Sequence, residues 1–281
     1  MQAQPKPVEA VINNGTEQMQ DRVHPLKDQH AFVTGASRGI GASIALELAQ
    51  LGAKLTLTGR DAEALRDVGN SIRDTTGSEV QEFVFDVTDA DAITRIVAEA
   101  AEAFGPVSIL VNNAGAATSA PFMKTDLARW QSLIDINLTG PFLLTQAVLP
   151  AMLDNKSGRV INVASTAGMI GYSYVAPYVA SKHGVIGLTR ALATEYAKSG
   201  VTFNSVCPGF TETDIAARTI DTMVNKAGRT EDEAYAELAS LNPQGRLVQP
   251  DEVAQAVGWL ALPTSSSING QSIAVAGGEI M

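Results

Sequence analysis

The chain has little cysteine, little histidine and few positive charges, and these shortages exclude several classes of protein. The single cysteine, Cys207, rules out an intramolecular disulfide and a cysteine-rich metal centre. Three histidines are too few to indicate a histidine-based site, so we predict that no metal is bound. With 20 Lys and Arg against 30 Asp and Glu, the formal net charge of −10 repels nucleic acid and anionic lipid surfaces. We therefore expect neither nucleic acid nor a membrane as a main partner.

The sequence also lacks a long apolar run. No segment approaches the ~18 consecutive apolar residues that indicate a membrane span. Residues 1–28 mix Gln, Pro, Asn, Glu and Lys without the apolar stretch of a secretory signal, and we interpret them as a disordered or loosely docked extension. The low cysteine content fits a reducing compartment, so we expect a cytoplasmic protein.

From about residue 30 onward, short β-branched or aliphatic runs alternate with segments of helical period. The predicted strands are His30–Thr34, Lys54–Thr58, Val80–Phe85, Ser108–Val111, Arg159–Val163, Val201–Val206 and Ser272–Ala276. In the first predicted helix, Ile40, Ile44 and Leu48 share one face before Gly52 ends the segment. Right-handed crossovers then give a parallel sheet covered by helices on both faces. We predict a single α/β domain over residues 29–281, with a doubly wound, Rossmann-type sheet of seven parallel strands.

One long segment, at about residues 211–249, separates the sixth predicted strand from the next helix. A short amphipathic helix is indicated by the spacing of Ile215, Ile220, Met223 and Val224. A second helix is indicated over residues 231–238. A connection of this length often forms a lid or a binding loop, and an ordinary surface hairpin of two helices is the alternative.

A glycine-rich turn follows the first predicted strand and leads directly into a helix. Its cofactor-binding candidates are Gly35, Ser37, Arg38, Gly39, Ile40 and Gly41. Glycines let the backbone approach a pyrophosphate, and the free N–H groups of the helix N-terminus offset the phosphate charge. The Gly-x-x-x-Gly-x-Gly spacing differs from the commoner dinucleotide fingerprint, and glycines alone also suit a plain tight turn. The position between a strand and an amphipathic helix favours a dinucleotide site.

The end of the second strand discriminates between the two nicotinamide dinucleotides. An acidic residue there would bind the ribose hydroxyls and repel a 2′-phosphate. The chain instead has Arg60 there, with no carboxylate before Asp61, and Arg38 lies in the glycine turn. Two arginines that flank one phosphate favour NADP(H), whereas a lone arginine is usually a solvated surface charge.

Polar residues also follow the third and fourth predicted strands. A carboxylate followed by a backbone amide, at Asp86 and Val87, suits the edge of an adenine ring. Asn113 follows the fourth strand, where we weigh bracing of the sheet equally with ligand contact. These positions extend the predicted dinucleotide site along the carboxyl edge of the sheet.

The most specific pattern follows the fifth predicted strand. Ser165 comes just after that strand, and Tyr178 and Lys182 are spaced i, i+4, on one face of a helix. A nearby ammonium favours the phenolate, so we expect Lys182 to lower the pKa of Tyr178. Tyr178 would then exchange a proton with a carbonyl or alcohol oxygen while a hydride moves at the nicotinamide. Ser165 would hold the same oxygen by a hydrogen bond.

Taken together, these motifs resemble the short-chain dehydrogenase/reductase family, in its single-domain branch, over nearly all of residues 30–281. The resemblance implies that Asn137 completes the catalytic set of Ser165, Tyr178 and Lys182, and that residues 211–249 form a substrate lid. The further cofactor contacts that it implies are Asn113, Ala114, Gly115, Tyr178, Lys182, Pro208, Gly209, Thr211 and Thr213. The substrate contacts that it implies are Ser165, Ala167, Met169, Tyr172, Tyr174, Tyr178 and Phe210, with Ile220 and Met223 from the lid.

The resemblance implies hydride transfer between NADP(H) and a ketone or secondary alcohol. The sequence is similar to 3-oxoacyl thioester reductases and hydroxyacyl dehydrogenases, and the apolar pocket candidates indicate a hydrophobic acyl, alicyclic or aryl ketone. Acidic residues outnumber basic ones over residues 211–240, which disfavours docking of an acidic carrier protein. A free small ketone therefore remains an alternative substrate. A non-catalytic NADP(H)-binding sensor or scaffold is a second hypothesis, and an NAD-preferring hydroxyacyl or secondary-alcohol dehydrogenase is a third. The resemblance implies a homotetramer.

Overall fold

The computed structural model describes residues 24–280, apart from the side chains of residues 226 and 227. Most of the predicted N-terminal extension lies outside the described residues. Its last part, residues 24–28, packs on the domain: Leu26 is fully buried, and its backbone N–H donates to the carbonyl of Leu51 at 2.9 Å. The described chain therefore joins the core before the first strand begins.

Seven parallel strands form one sheet in the order β3-β2-β1-β4-β5-β6-β7, which confirms the predicted fold class. The strands are β1 His30–Thr34, β2 Lys54–Gly59, β3 Val80–Val84, β4 Ile109–Asn112, β5 Gly158–Val163, β6 Val201–Pro208 and β7 Ser272–Val275. All seven lie where the sequence predicted them, with small shifts at some of their ends. The strand order reverses between β1 and β4, and ligands bind outside the carboxyl ends of parallel strands at such a point.

Nine α-helices connect and cover the strands of the described chain. They are α1 Gly39–Gln50, α2 Ala62–Thr76, α3 Ala90–Phe104, α4 Leu127–Ile134, α5 Gly140–Asp154, α6 Ala176–Glu195, α7 Asp214–Ala227, α8 Glu231–Ser240 and α9 Pro250–Ala261. A short π-helix, Asp135–Thr139, joins α4 to α5, and a 3-10 turn, Thr166–Gly168, follows β5.

The core consists of one apolar layer on each face of the sheet. Successive side chains of a strand point to opposite faces, so Val33 packs with α1 and α9 whereas Phe32 packs with α3 and α5. Ile44 of α1 and Leu144 of α5 are representative of the helical contributions to the two layers. This double coverage holds the carboxyl ends of the strands at one fixed edge.

Within the described residues, one helical stretch, Leu127–Asp154, is long and apolar enough to cross a membrane. It runs through α4, the π-helix and α5. Leu144, Val148 and Met152 of this stretch are buried against the sheet in the second core layer. The stretch is therefore a helix of the protein core.

The long connection after β6 folds as the predicted pair of helices, α7 and α8. Their facing side chains form a small apolar cluster of their own, with Ala216, Ile220 and Leu238 buried in it. Ile215 was placed on the apolar face by its spacing, and this prediction is wrong: it is 47% exposed because Ala216 takes the inward position.

Candidate active site

The glycine turn at the end of β1 packs tightly against the end of β4. Gly35 has φ +64°, and a Cβ there would lie 2.9 Å from the Cα of Ala114. A Cβ on Gly41 would collide with the carbonyl oxygen of Gly35. Helix α1 starts from Arg38 without any side-chain cap, so its first N–H groups stay open to an anion. This tight, uncapped turn fits the pyrophosphate of a dinucleotide.

Asn113 braces this turn. Its Nδ2 donates to the carbonyl of Thr34 at 2.9 Å and to that of Gly35 at 3.2 Å. The backbone N–H groups of Asn113 and Ala114 both donate to Thr34 Oγ1 at 2.9 Å. The sequence left bracing and ligand contact open for Asn113, and its amide group is engaged in bracing.

The two arginines predicted to bind a 2′-phosphate, Arg38 and Arg60, are both paired with carboxylates. Arg38 contacts Asp61 at 2.7 Å and Asp214, the first residue of α7, at 3.2 Å. Arg60 contacts Asp86 at 3.5 Å. Partial burial opposes ionisation of Asp86, but hydrogen bonds from Thr88 and the charge of Arg60 hold its pKa below the usual value. No pattern in the sequence indicated these pairs.

Lys182 is almost fully buried on α6 beside β5. Its Nζ donates to the carbonyl of Val163 at 2.8 Å and lies 5.7 Å from the centroid of the Tyr178 ring. Burial lowers the pKa of Lys182 to about 8. The lysine is therefore still mostly protonated at neutral pH, with a margin of only about one pH unit.

Tyr178 and Ser165 meet across the end of β5. Burial raises the pKa of Tyr178, and the neighbouring Ser165 hydroxyl lowers it. Ser165 Oγ also accepts from the backbone N–H of Ala167 at 3.1 Å, so its own proton is free to be donated. The net direction in the protein alone is therefore upward, opposite to the lowering that the sequence analysis expected from Lys182, and burial is its largest cause.

Asn137 lies in the π-helix between α4 and α5. Its Nδ2 donates to the carbonyl of Ala116 at 2.9 Å and to Ser181 Oγ at 3.2 Å, while its Oδ1 accepts from the N–H of Ala116 at 2.9 Å. A Cβ on Gly115 would lie 3.0 Å from Asn137 Oδ1 and 3.7 Å from Lys182 Nζ. Asn137 and Lys182 thus meet at Gly115, and the four candidate catalytic residues share one site.

The segment Pro208–Thr213, which begins at the last residue of β6, passes beside the glycine turn. A Cβ on Gly39 would lie 3.2 Å from Thr213 Cγ2. Thr211 is buried, and its Oγ1 donates to the carbonyl of Gly209 at 3.0 Å. The candidate nicotinamide contacts therefore adjoin the candidate pyrophosphate turn.

Most of the candidate substrate residues pack against other parts of the fold, whereas Tyr174 is exposed. Tyr172 and Phe210 pack edge to face with centroids 6.1 Å apart, and Phe210 also packs on the apolar cluster of α7 and α8. Ala167 is buried, and Met169 packs on a small cluster beside α6. Tyr174 is 67% exposed with φ +67°, so the structure leaves its side chain at the rim. Ile220 and Met223 belong to the α7–α8 cluster.

Sequence reasoning missed Glu279 and Thr166 at this site. The Tyr172 hydroxyl is hydrogen-bonded to Thr166 Oγ1 at 2.8 Å and to Glu279 Oε1. Burial raises the pKa of Glu279, and the hydrogen bond from Tyr172 lowers it. Thr166 adjoins Ser165 in the chain, which is a usable signal. Glu279 follows β7 with no motif around it, so only the folded chain reveals it.

The chain matches known proteins along most of its length. Residues 29–223 match the family described as short chain dehydrogenase. The chain is 38% identical over 257 residues to a 3-oxoacyl-(acyl-carrier-protein) reductase of Synechocystis sp., covering 91% of this chain and 98% of that protein. It is 39% identical over 249 residues to a cis-4-hydroxycyclohexanecarboxylate dehydrogenase of Sinomonas cyclohexanicum, covering 88% of this chain and 95% of that protein.

A solved structure matches as well. A crystal structure of a point variant of actinorhodin polyketide ketoreductase with NADPH gives a TM-score of 0.86 at 39% sequence identity, covering 89% of this chain and 97% of that one. Family match, relatives and fold agree, and the chain belongs to the short-chain dehydrogenase/reductase family.

Proposed function

We propose that the chain is an NADP(H)-dependent ketoreductase that acts on 3-oxoacyl-type ketones. The observation that carries this proposal is the convergence of Ser165, Tyr178, Lys182 and Asn137 beside the glycine turn. A binding protein needs no proton donor, so this convergence disfavours the hypothesis of a non-catalytic sensor or scaffold. The 3-oxoacyl reductase and polyketide ketoreductase among its relatives support the substrate class.

The cofactor site is assigned to three parts of the carboxyl edge. The glycine turn and the start of α1 would hold the pyrophosphate, Asp86 and Val87 the adenine, and Pro208–Thr213 the nicotinamide. When bound, the dinucleotide supplies or accepts the hydride. Arg38 and Arg60 favour NADP(H), because a 2′-phosphate would replace their carboxylate partners as the anion that the two guanidinium groups bind.

The protein's own part in the reaction is to hold one oxygen and move one proton. Ser165 and Tyr178 together would hydrogen-bond the carbonyl oxygen of the ketone. Tyr178 gives its proton to that oxygen as the carbon is reduced, and takes it back in the reverse direction. The Lys182 ammonium then stabilises the phenolate that forms, within a site that excludes most water. Asn137 holds the backbone of Ala116 beside Lys182.

A second candidate is an NAD-preferring hydroxyacyl or secondary-alcohol dehydrogenase. Asp61 and Asp214 already neutralise Arg38, which leaves less charge for a 2′-phosphate. The relative named as a hydroxycyclohexanecarboxylate dehydrogenase supports the oxidative direction. Comparing kcat/KM for NADPH and NADH separates the candidates: a clear preference for NADPH supports the first, and a preference for NADH supports the second.

The enzymatic proposal is tested by NADPH oxidation with a panel of neutral 3-oxo esters, alicyclic ketones and aryl ketones. Replacing the proton donor in Tyr178→Phe should lower kcat by at least about 10²-fold, the usual contribution of general acid catalysis. Tyr196→Phe is the matched control, because Tyr196 ends the same helix and lies in the second core layer. Equal rates for wild type and Tyr178→Phe on every ketone would refute the proposal.

A further inference from the structure

A second tyrosine and a carboxylate lie beside the reaction centre without a part in the proton transfer. Tyr172 and Glu279 come from different parts of the chain, 107 residues apart, and meet through a hydrogen bond at Oε1 of Glu279. Thr166, the residue after Ser165, is hydrogen-bonded to the same tyrosine hydroxyl. The group is therefore one residue away from the serine that holds the substrate oxygen.

The direction of these hydrogen bonds follows from the number of protons. A phenol has one proton, and a carboxylate can only accept, so Tyr172 donates to Glu279 and accepts from the Thr166 hydroxyl. Burial and the hydrogen bond to Glu279 raise the pKa of Tyr172, which keeps the phenol neutral. Tyr172 therefore serves as a positioning residue, because its only proton is used in the hydrogen bond that holds the Glu279 carboxylate in place.

The second carboxylate oxygen of Glu279 lies against the Pro208–Thr213 segment, beside Phe210. A Cβ on Gly209 would lie 2.8 Å from Glu279 Oε2, and Gly209 belongs to the candidate nicotinamide segment. Phe210, the next residue, contacts the Tyr172 ring and the α7–α8 cluster. Among residues 24–280, no hydrogen bond reaches Oε2 of Glu279, although Oε1 is bonded. A fixed, half-buried carboxylate thus presents a free acceptor between the reaction centre and the helical pair.

We propose that Glu279 is a specificity-determining residue of the ketone site, selecting neutral substrates with an O–H donor and rejecting those with a carboxylate. The inference rests on the proposed function and narrows its substrate class to hydroxylated or enolic neutral ketones. A fixed acceptor strengthens binding of a ketone that carries a hydroxyl group, because the hydroxyl can donate a hydrogen bond to it. A fixed negative charge in a half-buried site repels a negatively charged substrate carboxylate. The same residue counts against the carboxylate-bearing substrates of the second candidate function.

Three related probes test this selection: methyl 3-oxopentanoate, its 5-hydroxy derivative and the monomethyl ester of 3-oxopentanedioic acid. Wild type should prefer the hydroxylated ester and discriminate against the acid. Glu279→Gln keeps the shape and removes the charge, so the ratio of kcat/KM for the acid to that for methyl 3-oxopentanoate should rise at least about tenfold. Tyr172→Phe frees the carboxylate, and should raise KM for the hydroxylated ester more than it lowers kcat.

Glu79→Gln is the matched control. It makes the same change in net charge, but Glu79 pairs with Lys54 at the amino end of the sheet, and its variant should leave the ratio at the wild-type value. An unchanged ratio in Glu279→Gln, or an equal rise in Glu79→Gln, overturns the inference.

Binding separates this inference from the proposed function. If wild type reduces none of the three probes, the ketoreductase proposal fails for this class, and calorimetric Kd values for the same probes then decide the inference. If the Kd of the acid falls relative to the Kd of methyl 3-oxopentanoate in Glu279→Gln, the selection by Glu279 is supported. Ratios equal to wild type overturn it.

Discussion

Burial acts on Tyr178 and Lys182 in the same sense, since it disfavours the charged form of each. The phenol pKa is raised, and the ammonium pKa is lowered to about 8. Sequence spacing correctly predicted that the two residues share one site, because i, i+4 positions lie on one helix face. The sign of the phenol shift was not predictable, since it depends on how much of the folded chain covers the hydroxyl.

The lysine pKa leads to a prediction about pH. Below about pH 8 Lys182 is protonated and can stabilise the phenolate, whereas above that value the ammonium is lost. We expect kcat/KM for ketone reduction to fall on the alkaline side with an apparent pKa near 8. Lys182→Arg, whose charge does not titrate in this range, should lose this alkaline limb from its remaining activity. A limb of unchanged pKa in Lys182→Arg would assign the titration to another group.

Glycines in the cofactor turn lead to a prediction about folding. A Cβ on Gly41 collides with the Gly35 carbonyl and the Asn113 amide, and backbone cannot yield as a flexible side chain does. Gly41→Ala should lower the free energy of unfolding by about 2 kcal/mol or more, in the range of a clash in a packed site. Urea denaturation measures this loss, and NADPH fluorescence titration should show weaker binding.

Gly187→Ala is the control for that substitution. Gly187 lies in α6, and a Cβ there has no neighbour within 4 Å. Alanine should stabilise this helix position by about 0.5–1 kcal/mol, because it restricts the unfolded chain and favours the helix. Equal effects at the two glycines would contradict the tight packing of the turn.

Whole strands and helices were the most predictable parts of the fold, because apolar periodicity records burial directly. All seven strands and both helices of the long connection were found in this way. The π-helix that holds Asn137 was not, since one extra residue in a helical turn leaves the apolar pattern of Leu127–Asp154 nearly unchanged. Likewise, the pairing of α7 with the glycine turn through Asp214 and Arg38 depends on side chains 176 residues apart.

That pairing connects the helical pair to the cofactor site and leads to a prediction at the scale of elements. In the proposed NADP(H) site Asp214 would compete with the 2′-phosphate for Arg38, so Asp214→Asn should tighten NADPH binding a few-fold, as exposed ion pairs are worth about 0–1 kcal/mol. NADH binding, which lacks the phosphate, should not change. The measurement is fluorescence titration with both dinucleotides, compared at low and high salt.

Asp221→Asn is the matched control, because Asp221 lies on the same helix, α7, and carries the same charge. Its variant should leave both affinities unchanged. If Asp214→Asn instead weakens NADPH binding, then Asp214 orients Arg38 for the phosphate rather than competing with it.

At the scale of the whole molecule, a net charge of −10 is compatible with the proposed site for a negatively charged dinucleotide. A negative surface disfavours polyanions, yet the phosphate site that we propose at the glycine turn consists of backbone N–H groups, whose dipoles do not appear in a count of charges. Composition therefore disfavours some partners but does not indicate the site. The family resemblance indicates the proposed site, because the order of its motifs along the chain is specific.

The outer faces of α4 and α5 lead to the last prediction, the homotetramer that the family resemblance implies. Leu127 of α4 and Phe142 of α5 are large apolar residues exposed to 77% and 44%. Exposed apolar side chains on neighbouring helices are typical of interfaces between copies, where burial removes them from water.

Light scattering should give a mass about four times the 29.4 kDa of the chain. Phe142→Glu would place a charge in that interface and should lower the mass, whereas Val84→Glu, an exposed position on the edge strand β3, should not. A monomeric mass for wild type would leave these helices without a partner and contradict the assembly.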